Sequence, residues 1–379
     1  MAVCGSTEDR HGIVLAKNEL AKAFGIETAE TVYSAKRKCK NLVIAEPHYD
    51  EYARYSRAVN DIYYEYTDLV EPFGIDESWL DVTASRRIFG SGVEIADIIR
   101  ERVKQEIGIT LSVGVSFNKV FAKLGSDYKK PDATTVIDRE HFREIVFPLP
   151  VSDLLFVGRR TAEALRSMGI RTIGELAAAD RIFLERRFGK SGLMISDYAN
   201  GRDESPVEDR RHEDAKSVSN GFTFRRNLVG YTQLRTGIDF LAEEIGYRLR
   251  KKGQRCSTVG ISVKDEYLAT VQRQRQISPP TDIGKEIADA AYALLVSEWS
   301  ASRPVRALTV SATGLMRAEF ATEQLNMFED TAPKRDKERR KEETVDEIRK
   351  RFGKGAIVKG AVLDSSDLGI FDPKTHTED

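Results

Sequence analysis

The chain has 379 residues, 41% hydrophobic and 31% charged, a balance that fits globular domains and excludes a disordered chain or a membrane protein. The formal charge of −1 hides an uneven layout: residues 216–317 hold 16 lysines and arginines against 9 aspartates and glutamates, so a basic module sits beside an acidic remainder. Such a layout suits a polyanion-binding part joined to a part that needs carboxylates. Cys4, Cys39 and Cys256 are far apart with no C-x-x-C, and the five histidines form no H-E-x-x-H, which argues against a disulfide scaffold and against a thiolate or histidine metal site. No apolar run approaches the roughly 20 residues of a spanning helix, and the N-terminus lacks a signal-peptide layout. The expectation is a cytoplasmic monomer with no membrane partner.

In chain order, GIVLAK (12–17) reads as a strand and NELAKAFG (18–25) as a short helix closed by Gly25. A second short helix covers 31–39, and a tyrosine-rich helical pattern runs from 49 to 67. Strand patterns near 69–73 and 75–83, separated by Gly74, read as an antiparallel pair. Ile95, Ile98, Ile99, Val103 and Ile107 mark an amphipathic helix. Then come a strand at 109–116, a helix at 118–128 and a strand at 134–137, which predict an α+β sheet domain with helices on one face. Residues 148–213 read as mostly helical. From 216 the order is strand, helix, strand, strand, helix, strand, with strands near 218–226, 257–264, 268–277 and 304–313: a split β-α-β module with one open face. Beyond 318 the chain is highly charged. RDKERRKEE (335–343) reads as a solvated helix or linker, EETVDEIRKRFG (342–353) as a helical piece, and the last residues as disordered.

The sharpest chemical motif is GIDESWLDV (74–82). Adjacent strand residues point to opposite faces, so Asp76 and Glu77 share one metal only where the strand bends out of a turn. Mg²⁺ prefers hard oxygen ligands and keeps several waters, so few protein carboxylates are needed when phosphates supply the rest. By itself an acidic pair at a hairpin mouth is common on surfaces. The block SVGVSFNKVFAKLGSDYKKPDATTVI (112–137) changes its weight. With it, and with FGKSGLMISDYANGRDESPV (188–207), KSVSNGF (216–222) and QLNMF (324–328), the sequence resembles the Y-family lesion-bypass DNA polymerases, in their bacterial DNA polymerase IV branch, over nearly its whole length.

The resemblance implies a right-hand-like α+β polymerase with fingers and palm over 1–147, a helical thumb with a helix-hairpin-helix over 148–215, a split β-α-β little finger over 216–317, and a clamp-binding tail over 318–379. It implies addition of dNTPs to a primer 3′-hydroxyl on primer-template DNA, with two Mg²⁺ ions bound alongside the dNTP. Asp76 would bridge both metals, and Glu77 would hold the one that activates the hydroxyl. Lys130 matches the lysine on the incoming triphosphate, where a flexible point charge neutralises phosphate oxygens. The family's first strand, with a further metal-bridging aspartate and a steric-gate aromatic, has no match here; MAVCGSTEDRHGIV corresponds to the segment just after that strand. The expectation is a start assigned at an internal methionine or a shortened chain. In the fingers, Ala16, Glu19 and Lys22 stand where a hydroxyl residue, a tyrosine and an arginine are usual. Lys22 keeps the charge toward the nucleotide, while Glu19 is expected to point away, leaving Lys17 or backbone groups to contribute.

VGRRTAEALRSMGI (157–170) resembles a helix-hairpin-helix, which offers backbone N–H groups to phosphates without reading sequence. Gly158 is kept, Phe156 replaces the first hairpin glycine, and Arg159 and Arg160 add charge. In the little finger, Arg225, Arg226, Arg273 and Arg275 are candidate DNA contacts; Arg273 and Arg275 share a strand face. RLRKKGQR (248–255) closes a helix, where cations also suit the dipole. QLNMF resembles the bacterial sliding-clamp peptide through Gln324, Leu325, Met327 and Phe328. Two other readings stay open on the sequence alone. A non-catalytic DNA- and clamp-binding protein of the same family would explain the missing strand. A nucleotidyl-cyclase-like palm would share the carboxylates but leave the thumb, the basic module and QLNMF unexplained.

Overall fold

The computed structural model describes every residue except 8, 9, 11, 210–214, 322–331, 364, 365 and 371–379. Its contacts divide the chain into two units, Met1–Pro47 with Asp214–Asp379, and His48–Glu213. No helix among the described residues is long and apolar enough to cross a membrane.

The first 47 residues form β1 (Ala2–Cys4), β2 (Val14–Lys17), α1 (Glu19–Ala23), α2 (Val32–Lys38) and β3 (Ile44–Ala45). β1 is the central strand, antiparallel to β2 and parallel to β3. The sequence pattern gives β2 and both helices but not β1, because three residues are too few to show alternation. Asn18 and Thr31 start the helices: their side-chain oxygens accept from the Ala21 N–H (3.0 Å) and the Ser34 N–H (3.1 Å).

The second unit holds α3 (Tyr49–Tyr64), β4 (Val70–Pro72), β5 (Ser78–Leu80), α4 (Arg86–Phe89), α5 (Gly92–Glu106), β6 (Val113–Ser116), α6 (Lys119–Tyr128), β7 (Thr134–Ile137) and α7 (Phe142–Val146). A capping box of Ser91 and Glu94 opens α5, which buries Ile95, Ile99 and Val103 with Val59 and Ile62 of α3. β4 and β5 pair antiparallel, and β6 and β7 parallel. The strands form two separate two-stranded sheets, so each keeps one edge without a strand partner among the described residues. The thumb segment follows as α8 (Arg159–Ser167), α9 (Ile173–Ala178), α10 (Arg181–Phe188) and α11 (Lys190–Ala199). Its buried Leu165, Ile173, Leu176, Leu184 and Ile195 share one core with Phe121 and Leu124 of α6.

Residues 217–317 run β8 (Ser217–Leu228), α12 (Tyr231–Lys251), β9 (Gln254–Asp265), β10 (Thr270–Thr281), α13 (Gly284–Glu298) and β11 (Val305–Arg317). This is the order that the periodicity gives. The strands form an antiparallel sheet in the order β10-β9-β11-β8. α12 and α13 bury Leu234, Ile238, Leu241, Ile245, Ile287 and Leu295 against one face, on Val259, Ile261, Val263, Leu308, Val310 and Ala312. Truncating any such leucine or isoleucine to alanine costs about 2–5 kcal/mol.

The C-terminal segment departs from the sequence reading. The helical readings of 335–343 and 342–353 hold, but as one helix, α14 (Ala332–Phe352), which is docked rather than solvated, and α15 (Gly360–Leu363) follows. α14 is held on the little finger by charges. Arg335 pairs with Glu286 (2.7 Å), Arg339 with Asp282 (3.0 Å) and Arg349 with Glu243 (2.5 Å). Arg250 reaches back to Glu342 (2.5 Å) and Asp346 (2.7 Å). Glu342 also accepts the Gly284 and Lys285 N–H groups at 2.8 and 3.1 Å, so it caps α13 from outside. Val362, Leu368 and Ile370 are buried in the little-finger core, so the expected disorder does not hold for them. A highly charged run reads as solvated when its partners lie far off in sequence.

Candidate active site and nucleic-acid surfaces

β4 and β5 pair Val70 with Leu80, Glu71 with Trp79 and Pro72 with Ser78. The Phe73 N–H donates to the Glu77 carbonyl at 2.9 Å, closing the turn that carries Asp76 and Glu77. α6 is set against this hairpin by two local features. A Cβ on Gly114 would lie 1.8 Å from the Ala122 carbonyl oxygen, so only glycine lets the helix backbone lie on β6. Asn118 caps the helix by accepting from the Phe121 N–H (2.8 Å), and its own amide donates to the Gly201 carbonyl (3.0 Å).

With α6 fixed, Lys119 and Lys123, one turn apart, reach the hairpin. Lys119 pairs with the buried Glu71 and lies 5.3 Å from the centre of the Trp79 ring, whose N–H donates to the Lys119 carbonyl at 3.0 Å. Lys123 Nζ is 2.9 Å from Glu77 and 2.6 Å from Asp127. Lys130 Nζ is in turn 2.6 Å from Asp127. Glu77, Lys123, Asp127 and Lys130 thus form a row of alternating charge. Burial works against the charge on Lys123, but the hydrogen bonds it donates to Asp127 and Glu77 outweigh it and hold its pKa above the ordinary lysine value. Burial likewise works against the Asp127 carboxylate, and the two lysines outweigh it and hold its pKa below the usual range.

Asp76 is exposed and its carboxylate makes no hydrogen bond or ion pair among the described residues. Glu77 beside it is 34% exposed. Two hard-oxygen carboxylates at an open turn fit the protein's share of a Mg²⁺ shell, which needs one or two carboxylates when phosphate and water complete it. No group of three metal-ligating side chains occurs among the described residues, so a third carboxylate is not supplied here.

Glu77 and Lys130 are thus linked through Lys123 and Asp127, and Asp76 stands beside Glu77 on the turn without joining the row. Lys119, Lys123, Asp127 and Glu71 were not singled out in the sequence. The signal available was the K-x₃-K-x₃-D spacing, which puts three charges on one helical stripe. Lys22, in the other unit, lies 3.6 Å from Glu19 on the same short helix, both exposed. Ala16 pairs with Val3 in the sheet, and Lys17 donates to Thr28 at 3.1 Å.

In the hairpin segment, Gly158 caps α8, with φ −71°. Phe156, in place of the hairpin glycine, has φ +66° and is 54% exposed. The left-handed backbone that favours glycine is thus retained with a phenylalanine. Arg159 is 91% exposed and bonds Glu163 at 2.9 Å; Arg160 is exposed.

The little-finger register fixes which side chains face which way. Arg273 is opposite Ile261 and Arg275 opposite Val259, whose side chains form the core beneath the helices. Both arginines therefore share a face, and it is the helix-bearing face at the outer strand. Arg273 bonds Glu298 of α13 at 2.9 Å, and Arg275 is exposed. The opposite, open face presents Gln272, Gln274 and Gln276 beside Ser262 and Thr258, then Thr309, Ser311 and Thr313, then Ser217 and Ser219. Arg226 pairs with Asp367 (2.5 Å), and Arg225 lies against Gly369. Arg250, from the basic helix end, has a structural role in holding α14. Gln324, Leu325, Met327 and Phe328 lie outside the described residues.

The chain also matches known proteins. Residues 1–127 match the impB/mucB/samB family and residues 215–327 that family's C-terminal domain. The chain is 46% identical over 369 residues to a DNA polymerase IV of Acetivibrio thermocellus, covering 97% of this chain and 92% of the relative. It is 35% identical over 363 residues to DNA polymerase IV 1 of Bacillus subtilis, covering 96% and 87%. A Y-family DNA polymerase chimera of Dbh and Dpo4 shares the fold, with a TM-score of 0.73 at 21% identity, over 84% of this chain and 92% of that one. The chain belongs to the impB/mucB/samB family, among the Y-family DNA polymerases. Within them it falls in the bacterial DNA polymerase IV branch.

Proposed function

We propose that this DNA-directed, lesion-bypass polymerase of DNA repair and damage tolerance transfers deoxynucleotides to a primer 3′-hydroxyl at the Asp76–Glu77 turn. The observation that carries the placement is the row joining Glu77 of that turn to Lys130: a carboxylate at one end, with Asp76 beside it, and a phosphate-seeking lysine at the other. Asp76 and Glu77 would hold Mg²⁺. Bound there, Mg²⁺ supplies Lewis-acid charge for in-line phosphoryl transfer, and the family's mechanism uses two such ions. Lys130, 55% exposed, neutralises triphosphate oxygens.

Primer-template DNA is held without sequence readout. The α8 N-terminus with Gly158, Arg159 and Arg160 offers N–H groups and charge to phosphates. The hydroxyl- and amide-rich open face of the little-finger sheet supports backbone contact, and Arg275, exposed on the other face of the outer strand, offers a charge beside it. The QLNMF segment is proposed to dock a sliding clamp through a few apolar anchors and Gln324. The enzyme is proposed to act as a monomer in the cytoplasm.

The test is primer extension across an undamaged and a lesion-bearing template, by residues 1–379 and by a version carrying an upstream strand with the family's aspartate. Asp76→Ala or Glu77→Ala should abolish extension while leaving gel-shift affinity for primer-template intact. Extension that survives Asp76→Ala refutes the assignment of the turn. For the clamp, Gln324→Ala with Phe328→Ala should abolish clamp binding and spare clamp-free DNA binding.

A further inference from the structure

Glu77 does not stand open to solvent. Its carboxylate is engaged by Lys123, whose second partner, Asp127, also holds Lys130. Lys123 is 19% exposed, so its charge is poorly screened by water. A divalent cation arriving at Glu77 meets an ammonium 2.9 Å from the same carboxylate, and like charges that close repel strongly in a half-buried site. Lys123 has an alternative, because Asp127 already accepts from it at 2.6 Å. As Lys123 commits its charge to Asp127, that carboxylate holds Lys130 less tightly.

We propose that Lys123 and Asp127 are positioning residues that pass charge along this row: Lys123 occupies Glu77 until a cation displaces it, and Asp127 then releases Lys130 toward the triphosphate. The inference rests on the reading of Asp76 and Glu77 as cation ligands and of Lys130 as a phosphate ligand. It gives the two lysines, seven residues apart, distinct tasks. Lys123 neutralises a half-buried carboxylate in the cation-free site, and Lys130 is stored on Asp127 until needed. The helix enforces the arrangement. Lys123 and Asp127 are one turn apart on α6, and Lys130 lies just past its C-terminus.

The experiment titrates the full chain with Mn²⁺ alone, without DNA or nucleotide, and reads free Mn²⁺ by electron paramagnetic resonance. Lys123→Met keeps the apolar stem and removes the competing charge, so Mn²⁺ affinity should rise about tenfold. Asp127→Asn removes the alternative partner and leaves Lys123 wholly on Glu77, so affinity should fall by about threefold or more. Opposite signs exclude a loss of folding, which would weaken binding in both variants; the relay itself is read from Lys130 in the triphosphate arm. Lys123→Gln, which still hydrogen-bonds both carboxylates, should tighten Mn²⁺ binding as Lys123→Met does. Asp127→Asn should also bind inorganic triphosphate more tightly in the presence of chelator, because Lys130 is freed. Unchanged Mn²⁺ affinity in both Lys123 variants, or shifts of the same sign in Lys123→Met and Asp127→Asn, would overturn the proposal. Asp76→Asn with Glu77→Gln separates the two levels. If that variant binds Mn²⁺ as the unmodified chain does, the reading of the turn itself fails. If it loses binding while the Lys123 variants are unchanged, only the relay fails.

Discussion

Arg250 is the residue on which the docking of α14 turns, and Arg250→Met is the sharpest perturbation of it. Its side chain is 8% exposed and bonds Asp346 (2.7 Å), Glu342 (2.5 Å) and the Asp282 carbonyl (2.8 Å). Burial works against its charge, and Asp346 and Glu342 outweigh that cost, so its pKa stands above the ordinary arginine value. Methionine keeps the apolar stem and removes the charge. Deleting one partner of a buried ion pair costs about 3–5 kcal/mol, because the other is left buried and unpaired. Glu342 keeps the Gly284 and Lys285 N–H groups, so the lower end, about 3 kcal/mol, applies here. The pairs of Arg335, Arg339 and Arg349 remain, so α14 still docks but opens about a hundredfold more often. Limited trypsin digestion at low protease, where cleavage follows the open population, should show that increase within 334–351 and nowhere else. In the unmodified chain, moderate salt should change this rate little, because the pairs are largely buried. Cleavage of the helix in Arg250→Met at the unmodified rate would refute the claim that Arg250 holds it.

The remaining predictions concern packing and backbone. Gly114→Ala forces a Cβ to within 1.8 Å of the Ala122 carbonyl, so it should destabilise the second unit by about 3 kcal/mol or more in urea unfolding followed by Trp79 fluorescence. Gly158→Ala, with nothing within 4 Å of the added Cβ, should not measurably shift the same transition. Phe156→Gly relieves a left-handed residue and gives up an exposed ring near Tyr198, so it should raise stability by up to about 1 kcal/mol and leave DNA affinity unchanged. A thiol reagent should label Cys39 alone in the native protein and all three cysteines once unfolded: Cys4 and Cys256 are buried, and burial pushes the Cys256 thiol up to about 12.

Elements that bury one face were legible in the sequence. α5 declares itself by Ile95, Ile99 and Val103, and the little finger by its two helices and four strands, because each repeats an apolar period for long enough to be counted. What the period could not show was a strand of three residues, β1, or the separation of β4-β5 from β6-β7, since pairing is decided by contacts between distant segments. The candidate site was legible for the same reason as its motifs: Asp76, Glu77 and Lys130 stand in strings whose order is specific. Lys123 stood inside one of those strings without drawing notice, because its role exists only once Gly114 has brought α6 onto β6.

Charge was the hardest quantity to read, and the two arginines of β10 show why. Their alternation with Gln272, Gln274 and Gln276 establishes that they share a face, but not which face. The deciding residue is Val271, two positions before Arg273: it pairs with Val263 in the core, and this register carries Arg273 and Arg275 to the helix-bearing side while the glutamines take the open one. A slip of one residue would exchange them, placing glutamines over the helices and arginines on the open face. The same dependence governs α14, whose charges look solvated until Arg250, Asp282 and Glu286 are brought opposite them. An apolar residue reports burial by its own chemistry. A charged residue reports it only through a partner, and here the partners of α14 lie on α12, on α13 and just past the end of β10, far back in the chain.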